Sequence, residues 1–215
     1  MSVRAVLERA VKEKRKILTE HIAKEIPGFA IKSKEHGLFW DVLSRLMFWN
    51  KAIKTHFITT LYPVVWVPQL PWMEGQDTNA IEIIAHEYVH LRDRKRLGLL
   101  FNFLYASPQI LALLALLGFY NSWFLLFLLC LLPWPSPGRA WLEFRGYRMS
   151  MAVYYWFHGA KLDPRWIAHQ FVGSNYYWMF PFEKLVTRTF EKEYKKIKSG
   201  VLTKELKDVK MILDL

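Results

Sequence analysis

Five consecutive residues, His86-Glu87-Tyr88-Val89-His90, combine two imidazoles and a carboxylate at a spacing suited to metal chemistry. On a helix, residues four apart stand one turn above each other on the same face. His86 and His90 would then offer two ring nitrogens to one ion from a rigid element. Glu87, one residue along, projects beside that ion, where its carboxylate can hold a metal-bound water and take its proton. Zinc lowers the pKa of such a water from about 16 to about 7, and a catalytic zinc keeps one position open beside three protein ligands. The chemistry implied is hydrolysis by an activated water. With 7 His in 215 residues, an HExxH pattern arises by chance about once in a hundred such chains, so its surroundings decide its weight. The plain alternative is a helix with two incidental histidines, His90 being a surface residue beside Arg92 and Arg94.

A third ligand is needed. No third histidine follows at the metzincin spacing, and His158 and His169 stand isolated. Glu143, in Trp141-Leu142-Glu143-Phe144-Arg145-Gly146-Tyr147, is the only acidic residue between Asp93 and Asp163. It falls on a predicted helix in an aromatic neighbourhood, where an unpaired charge is costly. Either a zinc ion or one of Arg139, Arg145 and Arg148 would satisfy it.

An HExxH helix completed by a glutamate on a later helix resembles the gluzincin group of zinc metallopeptidases. The resemblance rests on His86 to His90 and on Glu143 to Tyr147. It implies an α+β zincin-like fold, zinc held by His86, His90 and Glu143, Glu87 as general base, and a peptide or protein substrate. Thr59 to Val67 resembles the edge strand that aligns substrates above the zinc in that group, which would pair with the peptide backbone. Many members carry an aspartate four residues after the ligand glutamate, as partner to a histidine; here that place is Tyr147. Asp93, one turn beyond His90, is the alternative partner, unless it pairs with Arg94 or Arg96. For an oxyanion stabiliser the polar groups at hand are Tyr147, Tyr176, Tyr177 and Arg145, and Tyr147 stands beside Glu87 as a catalytic candidate.

The elements that must position these groups read as mainly α with a small β-sheet, in one domain spanning 1–215. Ser2 to Ile26 is periodic in apolar residues with a basic opposite face, an amphipathic N-terminal helix within 1–30. Leu38 to Asn50 reads as a second helix. Phe57 to Val67 reads as a strand, with Pro63 assigning it to an edge or a bulge. The helix bearing the histidines starts near Asn79, with Glu82 in a capping-box position, and ends at Gly98. Arg139 to His158 and Asp163 to Phe171 read as helices, Gly173 to Phe182 as an aromatic loop or short strand, and 183–215 as basic amphipathic helices. There is no internal repeat.

From Leu97 to Gly138 no Asp, Glu, Lys, Arg or His occurs. A single crossing by Ile110 to Leu132 would leave the histidines and Glu143 on opposite sides of a membrane. A hairpin turning at Gly118 to Trp123 would keep them together, and the cationic flanks at Arg92 to Arg96 and Arg139 to Arg148 favour it. At 1.5 Å per residue, the arm from Phe119 to Leu132 would reach about 21 Å, short of the roughly 30 Å hydrocarbon core. Such a hairpin would dip into a bilayer or cross it twice, or else be buried in a core or an oligomer interface.

The net charge of +11 and the 53% hydrophobic content point to an anionic partner, and a membrane surface ranks above nucleic acid because the basic residues are dispersed. Cys130 is the single cysteine, so no intrachain disulfide forms. The first thirty residues lack a secretory signal, which leads to the expectation of a membrane-associated protein working on the cytoplasmic side, with a soluble cytoplasmic enzyme as alternative. A zinc metallohydrolase, most simply a peptidase, is the leading expectation. The others are a membrane-bound interaction or remodelling protein, a zinc hydrolase of another bond, and an iron protein using the same ligands.

Overall fold

A computed structural model of the chain describes residues 3–35, 37–46, 52–55, 57–70 and 78–214. The fold is mainly helical with one small sheet, as expected. In chain order it runs α1 (Val3–Glu25), β1 (Ala30–Ser33), α2 (Leu38–Leu46), α3 (Ala52–Thr55), β2 (Thr59–Leu61), β3 (Val64–Val67), α4 (Thr78–Leu97) and α5 (Leu99–Ala106). Two 3-10 segments follow, Gln109–Phe119 and Ser122–Leu131, and then α6 (Pro137–His158), α7 (Pro164–Val172), α8 (Glu183–Lys198) and α9 (Lys204–Ile212). The last part of the expected helix from Leu38 to Asn50 and residues 71–77 lie outside the described residues.

The core forms where helical stripes meet the sheet. Leu18, Ile22 and Ile26 are spaced by four and bury completely, which places α1 against the inner face of α4, at Ile81, Ile84, Ala85 and Tyr88. Met149, Ala152 and Val153 of α6, Phe171 of α7 and Phe190 of α8 close the same cluster. The helices that bear His86 and His90, α4, and Glu143, α6, pack directly on each other through this core.

The strand expected over Phe57 to Val67 is instead two strands. β2 runs antiparallel to β3, with Leu61 opposite Val64, and β3 runs parallel to β1. A residue without an N–H fits either a bulge or a reversal; here the chain reverses at Pro63, and β3 pairs with β1. Of the two strands from this segment β2 is an edge, while β3 is central in the order β1-β3-β2, with β1 at the other edge. The first residues beyond α4 behave as expected: Gly98 adopts φ 59° and ends the helix, its N–H bonding to the Arg94 carbonyl at 2.9 Å.

The uncharged stretch reverses on itself, but its arms are 3-10 rather than α. In a 3-10 helix side chains at i and i+3 eclipse, and the sequence follows that period. Ala112, Ala115 and Gly118 form a stripe of small residues on one arm, and Leu125, Leu128 and Leu131 a bulky stripe on the other; five of these six line the groove between the arms. A Cβ on Gly118 would stand 2.6 Å from Leu125, so glycine is what lets the arms touch near the tip. At the root, Gln109 Nε2 donates to the Leu132 carbonyl at 3.4 Å, so the two ends lie side by side. With a rise of about 2.0 Å per residue, arms of 11 and 10 residues reach about 20–22 Å. Phe119, Tyr120, Trp123 and Leu126 are exposed, as are Leu113 and Leu116 beside the groove. No single helix among the described residues is long and apolar enough to cross a membrane; α5 and Gln109–Phe119 would suffice together but meet at 91°.

Candidate metal centre

His86 and His90 lie on the buried face of α4, and Glu143 lies on the facing side of α6. Their ligand atoms all fall within 4.8 Å of one another. The Nε2 atoms of His86 and His90 are 3.1 Å apart. Glu143 Oε2 is 3.5 Å from His86 Nε2, and Oε1 is 3.7 Å from His90 Nε2. All three side chains are buried, Glu143 to 1% exposure. None of Arg139, Arg145 and Arg148 takes the carboxylate: Glu143 Oε1 accepts from the Tyr105 hydroxyl at 2.7 Å, and Oε2 has no hydrogen-bond partner among the described residues.

Electrostatics agrees with a cation-seeking site. Burial would depress the His90 imidazole, but the facing Glu143 carboxylate outweighs it and lifts His90 to about 9. Burial would likewise raise Glu143, yet the charges of His90 and His86 hold it well below the usual carboxylate range. A proton on His90 is thus favoured by the carboxylate it faces. Two imidazole nitrogens and a buried carboxylate with an orphaned oxygen fit a bound metal ion.

The space for this cluster comes from Gly146. An added Cβ would lie 2.5 Å from His86 Nε2 and 2.7 Å from Cε1, so no other residue leaves the imidazole its place. Glu143, Gly146, Tyr147 and Ser150 share one face of α6, being spaced by three and four. Ser150 Oγ is 3.1 Å from His86 Nδ1; with Nε2 offered to an ion, Nδ1 carries the proton and donates to Ser150. This hydroxyl, not an acid at position 147, orients the ring. Tyr147 packs edge-on against His86, with centroids 4.9 Å apart, and its hydroxyl donates to that of Tyr176 at 3.2 Å.

Several other candidates lie elsewhere. Asp93 does not serve His90: both its oxygens accept from Arg145, at 2.8 and 3.0 Å. Arg145 also donates to Glu205 at 3.0 Å, so it faces away from the site. Tyr177 donates its hydroxyl to the Leu131 carbonyl at the hairpin root. His158 meets Thr78 Oγ1 at 2.9 Å, and His169 stands 4.0 Å from Glu183.

Glu87 is half-buried beside the histidines, and its Oε2 accepts from Thr60 Oγ1 at 2.5 Å. The edge strand β2 is thereby fastened to the motif helix. Behind β2, the fully buried Lys34 donates to the Phe57 carbonyl at 2.7 Å and to Thr59 Oγ1 at 2.6 Å. Its ammonium lies 4.4 Å over Trp40. Burial lowers Lys34 to about 8 even with the Glu87 charge opposing. Sequence reasoning missed Thr60, Lys34, Tyr105, Gly146 and Ser150. The signal for the last two was present, since they follow Glu143 at three and seven residues; a glycine inside a helix usually marks a packing demand. No protein-family model, curated protein or solved structure matches this chain.

Proposed function

We propose that this chain is a membrane-associated zinc metallohydrolase of gluzincin type, hydrolysing peptide bonds. The observation that carries the reading is the buried convergence of His86, His90 and Glu143 beside a carboxylate, Glu87, fixed to an exposed strand edge. Two nitrogens and one oxygen from three residues form the donor set of a catalytic zinc, which supplies Lewis acidity and lowers the pKa of a water to about 7. Glu87 then acts as general base, with the Thr60 hydroxyl holding Oε2 so that the carboxylate keeps one orientation. Ser150 and Tyr147 hold the His86 ring. β2, as the edge of the sheet, pairs with an extended substrate backbone next to Glu87.

The hairpin is proposed to dip into the bilayer from the cytoplasmic side. Arms of about 20–22 Å fall short of a roughly 30 Å hydrocarbon core, and the adjacent ends keep both catalytic helices on one side. Of the cationic flanks, Lys95 and Arg96 are exposed, whereas Arg139 and Arg145 point into the protein.

Elemental analysis of the purified protein tests the metal, and also separates zinc from iron, which the same donors suit. Stoichiometric zinc that is lost in Glu143→Ala is expected; no metal in either protein sinks the proposal. Glu87→Gln keeps the zinc and abolishes peptide hydrolysis. A second reading, a structural metal in a membrane-bound interaction protein, draws on the deep burial of all three ligand groups. It gains if Glu87→Gln changes nothing that can be measured.

A further inference from the structure

We propose that Tyr105 is a positioning residue for Glu143, and that through it the hydrophobic hairpin holds the metal ligand in place; the inference rests on the metal reading above. Tyr105 belongs to α5, the helix that leads into the hairpin, not to either ligand-bearing helix. Its hydroxyl donates to Glu143 Oε1 at 2.7 Å. That choice of oxygen leaves Oε2, 3.5 Å from His86 Nε2, as the one free for an ion.

The phenol is held from several directions. Its ring stacks on Phe101 at 5.9 Å and meets the His90 ring edge-on at 6.3 Å. The Arg139 guanidinium lies 5.5 Å over the ring, and Arg139 Nε donates to the Tyr105 carbonyl at 2.6 Å. The same guanidinium reaches Gln109 Oε1 at 3.1 Å and the Tyr176 carbonyl at 3.2 Å, which ties α5, the hairpin root and the aromatic loop to the start of α6. Packing alone would be met by phenylalanine, so the hydroxyl is the part that needs a reason. A phenol is a neutral donor. It fixes the carboxylate without cancelling the negative charge that draws a cation, whereas an arginine in its place would compete with the ion.

The experiment uses the full chain in detergent micelles, stripped of metal and titrated with Zn2+ against a chelator, and separately with Co2+ followed by its visible absorption. Tyr105→Phe removes only the hydroxyl. Loss of an outer hydrogen bond to a ligand typically costs about 10- to 100-fold in metal affinity, and that loss is expected here, with an altered Co2+ spectrum and an unchanged circular-dichroism melt of the metal-free protein. Tyr177→Phe removes a hairpin-root hydrogen bond that does not touch a ligand, and should bind metal as the wild type does. Wild-type affinity and spectrum in Tyr105→Phe overturn the proposal. So does an equal loss in both variants, which would assign the effect to hairpin packing. Wild-type protein that takes up neither ion overturns the metal reading, and this inference with it.

Discussion

Replacing Gly146 by alanine separates the metal centre from the fold that carries it. The added methyl would sit 2.5 Å from His86 Nε2, and the ring must retreat by about 0.9 Å to reach ordinary contact near 3.4 Å. It has little room, because Ser150 holds Nδ1 at 3.1 Å and Tyr147 packs against the ring. Overpacking costs about 1–3 kcal/mol, while alanine in place of glycine returns about 1 kcal/mol of helix propensity. The metal-free protein should therefore lose between about 0 and 2 kcal/mol, a melting drop of at most about 8 °C for a chain of this size. Metal sites tolerate only about 0.2 Å of misplacement, so affinity should fall by at least about 100-fold. At zinc equal to one hundred times the wild-type Kd, the ion stabilises wild type by about 2.7 kcal/mol and the variant by no more than about 0.4 kcal/mol. Thermal melts with and without zinc read this difference directly. A zinc-induced rise in Gly146→Ala equal to that of wild type would refute the steric account of the site.

Ser150→Ala leaves the His86 Nδ1 proton without its acceptor, and zinc affinity measured by chelator competition should weaken about 10-fold. Because His90 is raised to about 9 in the metal-free protein, zinc binding below that pH must expel its proton. Calorimetry in buffers of different ionisation enthalpy should show about one proton released per ion at pH 7, and an affinity that climbs as pH rises toward 9; no release would contradict the assigned charge state. Lys34 titrates near 8 when folded and 10.5 when unfolded, so the unfolded chain binds more protons between those values and stability rises with pH across that window. Denaturant melts of wild type and Lys34→Met should diverge across that window, the wild type gaining stability relative to the variant as pH rises; the comparison cancels the opposing contribution of His90, whose folded value lies above its unfolded one. Replacing Phe119 and Trp123, 93% and 74% exposed at the hairpin tip, by aspartate should stop the protein floating with anionic phospholipid vesicles; unchanged flotation would remove the hairpin from membrane binding.

Much of this molecule could be read from residue order alone. The histidine helix with its Gly98 terminator, the reversal near Gly118 and the pairing of Glu143 with the histidines all follow from short-range rules or from the cost of a lone buried charge. The split of the β segment did not, although Pro63 signalled it. A bulge and a reversal both accommodate a residue without an N–H, and β1, a short distant strand, decides between them by pairing with β3. Asp93 looked like a partner for His90 because it lies one turn along the same helix. Arg145 and Glu205 capture that region from other elements, and such tertiary partners leave no local trace. Tyr105 was hidden for a different reason: in a segment without charge, a single hydroxyl carries no periodic signal. The hairpin arms were expected as α-helix from their apolar content, and their period of three became meaningful only when both arms were seen packed together.

The order of elements also bears on how the site comes into being during synthesis. The histidines leave the ribosome well before Glu143, and the intervening segment is one that water receives poorly. Closing a loop of that length costs entropy that grows slowly with the number of free residues. Once α5 and the two arms are wound and reversed, the effective span shrinks to the few residues between Leu131 and Pro137. The settled hairpin therefore returns α6 to α4 with Glu143 facing the histidines. A chain whose apolar segment has not yet reversed carries the two histidines without the Glu143 carboxylate beside them.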